Sequence, residues 1–244
     1  MTGSFSPQPN QAKFIMMPKI STSDRSESAP FNDEVPAVEL AARLAARLCH
    51  DFISPASAIV SGIDLIEDPE QQDMREEALN LIAASARKLA ALLSFSRIAF
   101  GGSAAAESFD VRDLEKLTVG FYEHVRAELD WTCEPAVLNK PAARALLNLA
   151  ELGATVLPMG GKAILKASAN NNGGVRLTLD AEGARVRLRP ETLDGLEGRP
   201  FGQGMAGHWV QAYFLRSIIA QANGTLDIVV EPEAVRLNVK LPAE

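Results

Sequence analysis

The sequence predicts an α+β protein: an N-terminal helical hairpin that forms a four-helix bundle on dimerisation, followed by an α/β sandwich. Three observations carry this expectation. Apolar residues recur at three- and four-residue spacings through two long runs between residues 38 and 99. After a Gly-Ser-Ala linker at 101–106 the pattern changes to short helical and strand-like segments in mixed order. The 47% hydrophobic and 6% aromatic content describes cores made mainly of Leu, Ala, Ile and Val.

Residues 1–35, rich in Ser, Pro, Asn and Gln and without a period, read as a disordered tail. Pro36 suits a first helical turn, where its missing N–H has no intrahelical partner. From Val38 to about Glu67, Ala41, Leu44, Ala45, Leu48, Phe52, Ile59, Ile63 and Ile66 fall on one face. Asp68-Pro69 breaks the pattern. A second helix runs from about Gln72 to Ala99, with Leu79, Ile82, Ala86, Leu89 and Leu93 as apolar positions, and Gly101-Gly102 ends it. Two long helices joined by a short loop form an antiparallel hairpin, here spanning 36–100. A lone hairpin cannot bury two apolar stripes well, so a homodimer is expected. The alternative is that the hairpin packs onto the rest of its own chain.

The second domain, 107–244, begins with a helix from Val111 to Ala127 capped by Asp110. A strand follows near Leu129–Cys133, then a helix from Pro141 to about Leu157 capped by Asn139. Strands Ala163–Ala169 and Val175–Asp180 flank an Asn-Asn-Gly-Gly turn. A short helix Pro190–Leu196, a Gly-rich loop, a helix His208–Ala222 and strands Thr225–Val230 and Ala234–Leu241 complete a sheet covered by helices on one face.

The net charge of −7 and the absence of any Lys/Arg-rich run exclude nucleic acid as a direct partner. Cys49 and Cys133 fit neither a zinc pattern nor a disulfide framework, as expected for reduced thiols in the cytoplasm. No uninterrupted apolar stretch looks long enough to span a bilayer, and Pro18-Lys19 ends the Phe14–Met17 run too soon for a signal peptide. The expectation is a soluble cytoplasmic protein without membrane contact.

His50 is the residue with a chemical use. At 100° per residue, Arg43, Arg47, Ser54, Ser57 and Ser61 lie within roughly 60° of it, opposite the apolar stripe. A histidine accepts a phosphoryl group through an unprotonated ring nitrogen that an incoming partner can reach. Small serines leave room for that partner, and the two arginines offer charge to an acidic active site or to the phosphorylated ring. Asp51 is placed to orient the imidazole. Pro55, inside an otherwise strong helix, costs on the order of 3 kcal/mol and calls for a reason. Each residue alone is an ordinary surface residue; the combination of His, acid and Pro is what points to function. His124 and His208 read as structural or solvated, and Trp131 and Trp209 as core or domain-interface residues.

His50-Asp51-Phe52-Ile53-Ser54-Pro55 resembles the H-box of histidine kinase dimerisation domains. More closely, the run from Leu44 to Ile59, with Ala86-Arg87-Lys88-Leu89, Leu188-Arg189-Pro190-Glu191 and Trp209-Val210-Gln211, resembles the ChpT family of alphaproteobacterial histidine phosphotransferases. The resemblance implies a dimer in which His50 relays a phosphoryl group from the receiver domain of a hybrid histidine kinase to response-regulator receiver domains that govern the cell cycle. It also implies a second domain resembling a kinase ATPase domain that no longer binds nucleotide. Magnesium would come with the receiver.

The residues agree with a lost nucleotide site. A kinase N-box needs two Asn four apart; here Asn148 is followed by Leu152, removing an oxygen ligand that magnesium requires. The adenine loop reduces to Asp180-Ala181-Glu182-Gly183-Ala184, with one Gly where two are expected and an extra carboxylate. Glycines persist in Gly202-Gln203-Gly204-Met205-Ala206-Gly207, a weak signal alone. ATP binding and metal or cofactor sites in this chain are therefore not expected. The rival readings are an ATP-dependent histidine kinase and a scaffold with an inert His50.

Overall fold

The computed structural model describes residues 35–101, 106–170, 173–202, 204 and 206–243. The N-terminal tail, most of the Gly-Ser-Ala linker, the first half of the Asn-Asn-Gly-Gly turn, Gln203 and Met205 lie outside the described residues.

Helix α1 (Ala37–Glu67) opens at Pro36, whose carbonyl accepts the Leu40 N–H at 3.0 Å. At its far end the Asp68 carboxylate accepts the Glu70 N–H at 2.9 Å and caps a 3₁₀ turn, Pro69–Met74. Helix α2 (Arg75–Ala99) starts after that turn, three residues later than the apolar spacing suggests, and returns alongside α1. The two pack tightly at Gly62: a Cβ there would come within 2.6 Å of Ile82 Cγ1 and 3.2 Å of the Ala78 carbonyl, so a larger residue would force Ile82 to shift. Pro55 and Gly62 of α1 and Ala78, Ser85 and Phe95 of α2 are buried. Ile63, Leu79 and Leu93, also on the predicted apolar faces, remain 42%, 51% and 48% exposed. By length and composition Pro69–Ala99 is apolar enough to cross a membrane, although Arg87-Lys88 interrupts its apolar run. Its last turn lies instead in the core of the second domain, through Phe95, Ile98 and Ala99.

That domain is two-layered. Strands β2 (Ala127–Cys133), β4 (Gly161–Ala169), β5 (Val175–Glu182), β7 (Ala234–Leu241) and β6 (Thr225–Glu231) form one sheet in the order β2-β4-β5-β7-β6. The β2–β4 pair is parallel and the others antiparallel. Helices α3 (Val111–Tyr122), α4 (Lys140–Val156) and α6 (Ala206–Gln221) cover one face, and α5 (Pro190–Leu196) lies against α6. Strand alternation sends Ala163, Leu165, Leu177, Leu179, Leu237 and Val239 into that core. The open face carries charges that pair diagonally across neighbouring strands, among them Lys162 with Asp130 at 2.7 Å and Lys240 with Asp227 at 3.7 Å.

Both predicted caps are made: the Asp110 carboxylate accepts from the Arg112 N–H at 2.8 Å, and Asn139 Oδ1 from the Ala142 N–H at 3.1 Å. Two short strands escaped the sequence, β1 (Ser108–Asp110) and β3 (Val137–Asn139), which pair antiparallel beside α4. Helix α3 also ends at Tyr122 rather than Ala127, so His124 lies in the turn that follows and not in a helix.

The hairpin is anchored at the end that holds its own termini. The end of α2 packs on α3 and α4, with the Phe95 and Phe121 rings stacked at 4.6 Å. The start of α1 brings Val35, Leu40 and Leu44 onto a second cluster formed by Trp209, Val210 and Tyr213 of α6. The connecting turn points away from this anchor. The alternative of packing onto its own chain is thus realised at the base of the hairpin only.

Candidate functional site

His50 stands on α1 immediately beyond the anchored section. Its side chain is 84% exposed, and Nδ1 lies 3.3 Å from Asp51 Oδ1. With the ring proton on Nδ1 toward that carboxylate, the lone pair lies on Nε2, the nitrogen a phosphoryl donor would meet. Ser54, Ser57 and Ser61 continue along the same helix face and are exposed. They form a low polar ridge leading away from His50.

The other half of the face is covered, which the helical wheel could not show. Arg43 is half-buried. Its guanidinium lies over the rings of Phe201, at 5.1 Å, and Trp209, at 5.6 Å, and donates to Glu39 at 2.7 Å. Arg47 is also turned inward: its side chain is 12% exposed and ion-pairs with Glu151 of α4. Its Nε stays 3.6 Å from Asp51 Oδ2. Placing Arg47 on the docking surface is therefore corrected, because α4 occupies the space beside it; Arg43 keeps a side-chain exposure of 31%. Pro55 is corrected as well. It is buried against the hairpin's inner side, so a partner does not touch it. Lacking an N–H, it leaves the Asp51 carbonyl without the usual i+4 donor, one turn from His50.

His208, at the start of α6, joins this junction. Burial holds its imidazole below the ordinary range, Arg189 and Arg47 push the same way, and Glu191 and Asp51 oppose them. Glu151 is shifted upward by burial; Arg47 opposes that shift and Asp51 adds to it.

The residues compared above with kinase nucleotide motifs make the following contacts. The Asn148 amide donates to the carbonyls of Ala99, at 3.0 Å, and Arg144, at 2.8 Å, tying α4 to the end of α2. Asp180 and Glu182 lie on the open face of the sheet, where Arg236 approaches them at 3.7 and 3.9 Å. Gly204 takes φ +100°, and a Cβ on it would meet the Glu191 carboxylate at 3.0–3.2 Å. Trp209 is core, as expected, and its indole N–H donates to the Arg199 carbonyl at 2.9 Å.

Sequence reasoning missed Glu151, Phe201 and the role of Trp209 as a shelf for Arg43. A signal for Glu151 existed: it is the only acid in the long apolar helix Lys140–Val156. A buried carboxylate in such a run demands a cation, though nothing local says which.

A family model described as the histidine phosphotransferase C-terminal domain matches residues 111–234. Over 200 residues the chain is 29% identical to the protein phosphotransferase ChpT of Brucella abortus (strain 2308), covering 82% of this chain and 94% of that one. A solved bacterial phosphotransferase superposes with a TM-score of 0.75 at 29% identity, over 84% of this chain and 97% of that one. The mycobacterial sensor histidine kinase MprB gives 0.44 at 18% identity, over 56% of this chain and 96% of that one. This chain belongs to the histidine phosphotransferase family and is a phosphotransferase of two-component phosphorelay signalling.

Proposed function

We propose that His50 is the phosphoryl carrier, taking the group from the receiver domain of a hybrid histidine kinase and passing it to response-regulator receiver aspartates that govern the cell cycle. The observation that carries this is the exposed imidazole, with Nδ1 facing Asp51 and the small Ser54, Ser57 and Ser61 beside it. Nε2 attacks the phosphorus of an aspartyl phosphate, the P–O bond to the aspartate breaks, and the carboxylate leaves. Positioning and charge compensation do most of the work in such a transfer, and the receiver's magnesium supplies the charge. Phosphohistidine and acyl phosphate are both high-energy, so the transfer is reversible and can drain a regulator as well as charge it.

The same reading makes the protein a cytoplasmic homodimer. Ile53, Val60 and Ile63 on α1 and Leu79 and Leu93 on α2 are exposed apolar residues on the part of the hairpin its own chain leaves open, and a second hairpin would cover them. It also makes the second domain a support for the hairpin rather than an ATP site, in keeping with the engaged Asn148 and Asp180.

Labelled ATP alone, and then a phosphorylated receiver domain, are offered to wild-type protein and to His50→Ala. Label acquired from the receiver by wild type only is the expected result. Label acquired from ATP alone would favour an autokinase, and equal labelling of both forms would remove His50 from the reaction.

A further inference from the structure

A line of charged groups runs from the second domain to the ring of His50. Glu151 of α4 pairs with Arg47 of α1, Arg47 Nε lies 3.6 Å from Asp51 Oδ2, and Asp51 Oδ1 lies 3.3 Å from His50 Nδ1. The first link is nearly dry, with the Arg47 and Glu151 side chains 12% and 10% exposed. It is also poorly satisfied: Arg47 Nη1 and Glu151 Oε2 are buried without a hydrogen-bond partner.

Such a pair is a poor way to hold two domains together. The desolvation of both ions offsets most of their attraction, and apolar residues of similar volume would usually do as well. The domains already have an apolar connection through Leu40, Leu44, Trp209 and Tyr213 and another through Phe95 and Phe121. What the ion pair adds is direction. Without Glu151 the Arg47 guanidinium would be free to leave for solvent, as long cationic side chains do, and Asp51 would lose its only fixed cation among the described residues. A planar fork can face two carboxylates at once, so Arg47 transmits the position of α4 to Asp51.

The geometry points to Glu151 as a positioning residue for phosphotransfer: through Arg47 and Asp51 it holds the His50 imidazole in the orientation and tautomer that leave Nε2 free. The inference rests on His50 being the carrier. It gives the second domain, without any nucleotide, a part in the reaction.

The test uses the full-length protein as wild type, Glu151→Gln, Asp51→Asn, the double variant and Arg47→Lys. Nitrogen-15 NMR reads the tautomer of the His50 ring with no receiver present. Single-turnover transfer from a phosphorylated receiver is then followed across receiver concentrations. Glu151→Gln is expected to lower the saturating rate about tenfold, mid-range for coupled members of one network, and to leave the half-saturating concentration unchanged. Its His50 ring loses the preference for Nδ1–H, and the double variant is no slower than Asp51→Asn alone. Arg47→Lys covers the case in which Glu151→Gln folds badly. It keeps a charge for Glu151 but not the fork, and is expected to lose the same ring preference at an unchanged melting temperature. A wild-type tautomer in both Glu151→Gln and Arg47→Lys overturns the proposal, as do independent, multiplying losses in the double variant. If wild type takes no label from the receiver, the carrier reading falls instead, and the ring measurement still decides what Glu151 does.

Discussion

In α4, twelve of seventeen residues are buried; in α1, only Pro55 and Gly62 of thirty-one are. Both helices are rich in Ala and Leu, so composition does not explain the contrast. Helix α4 lies under the sheet and between α3, α6 and the end of α2, all from the same chain. Helix α1 has α2 along its length, but α6 and α4 meet it only near its start. The α/β domain closes its core by itself, whereas the hairpin leaves Ile53 at 63% and Val60 at 57% exposure. Rigid support and an open working surface have been assigned to different parts of one chain, and His50 sits where one gives way to the other. A side chain there can be approached by another protein while its neighbours on the anchored side are packed against the α/β domain.

The comparison breaks most visibly if the exposed stripe is not an interface. Replacing Ile53 and Val60 together by Lys puts charge into what should be the dry seam of a dimer. Light scattering is expected to show the mass falling from that of two chains to that of one, with the far-ultraviolet helix signal largely kept. A wild-type protein that is already monomeric would remove the contrast. On the closed side, Leu147→Ala empties a fully buried position in α4. It should cost about 3 kcal/mol, from lost transfer energy plus the cavity left behind, read as a lower urea midpoint. A loss well under 1 kcal/mol would mean that the α/β core is looser than its burial suggests.

The smallest effect concerns the boundary itself. Burial, with Arg189 and Arg47, depresses the His208 pKa. The native state therefore binds fewer protons there than the unfolded chain. The stability this contributes is present above the unfolded value of about 6.5 and is lost as pH falls through the lower folded value. Wild type should lose more stability than His208→Gln on acidification below about pH 6.5. Equal slopes in urea titrations would show that the imidazole is not held neutral at the junction.

Much of this fold was legible before any coordinates. The breaks at Asp68-Pro69 and Gly101-Gly102, the caps Asp110 and Asn139, and the alternation in Ala163–Ala169 are local signals, and the elements they define are present. Where the reading slipped, the cause was non-local. Strands β1 and β3 are three residues each and exist only because they pair with one another. Helix α3 stops at Tyr122, whose hydroxyl donates to the Ala150 carbonyl at 2.7 Å, and β2 is already needed beside β4 from Ala127.

The candidate site divides in the same way. His50, Asp51 and the three serines follow from the chain alone, because helical periodicity fixes which side chains share a face and the motif names the chemistry. The wheel also put Arg43 and Arg47 on that face, and there it was right about angle, while their side chains are only 31% and 12% exposed. Whether a helical face meets solvent depends on what lies across from it, and across from these two arginines are Trp209 and Glu151, more than a hundred residues away in sequence. Local sequence settled the helix, its punctuation and which residues share the His50 face. Packing between distant segments decided which half of that helix stays open and which is held, since burial is a property of neighbours that periodicity does not encode.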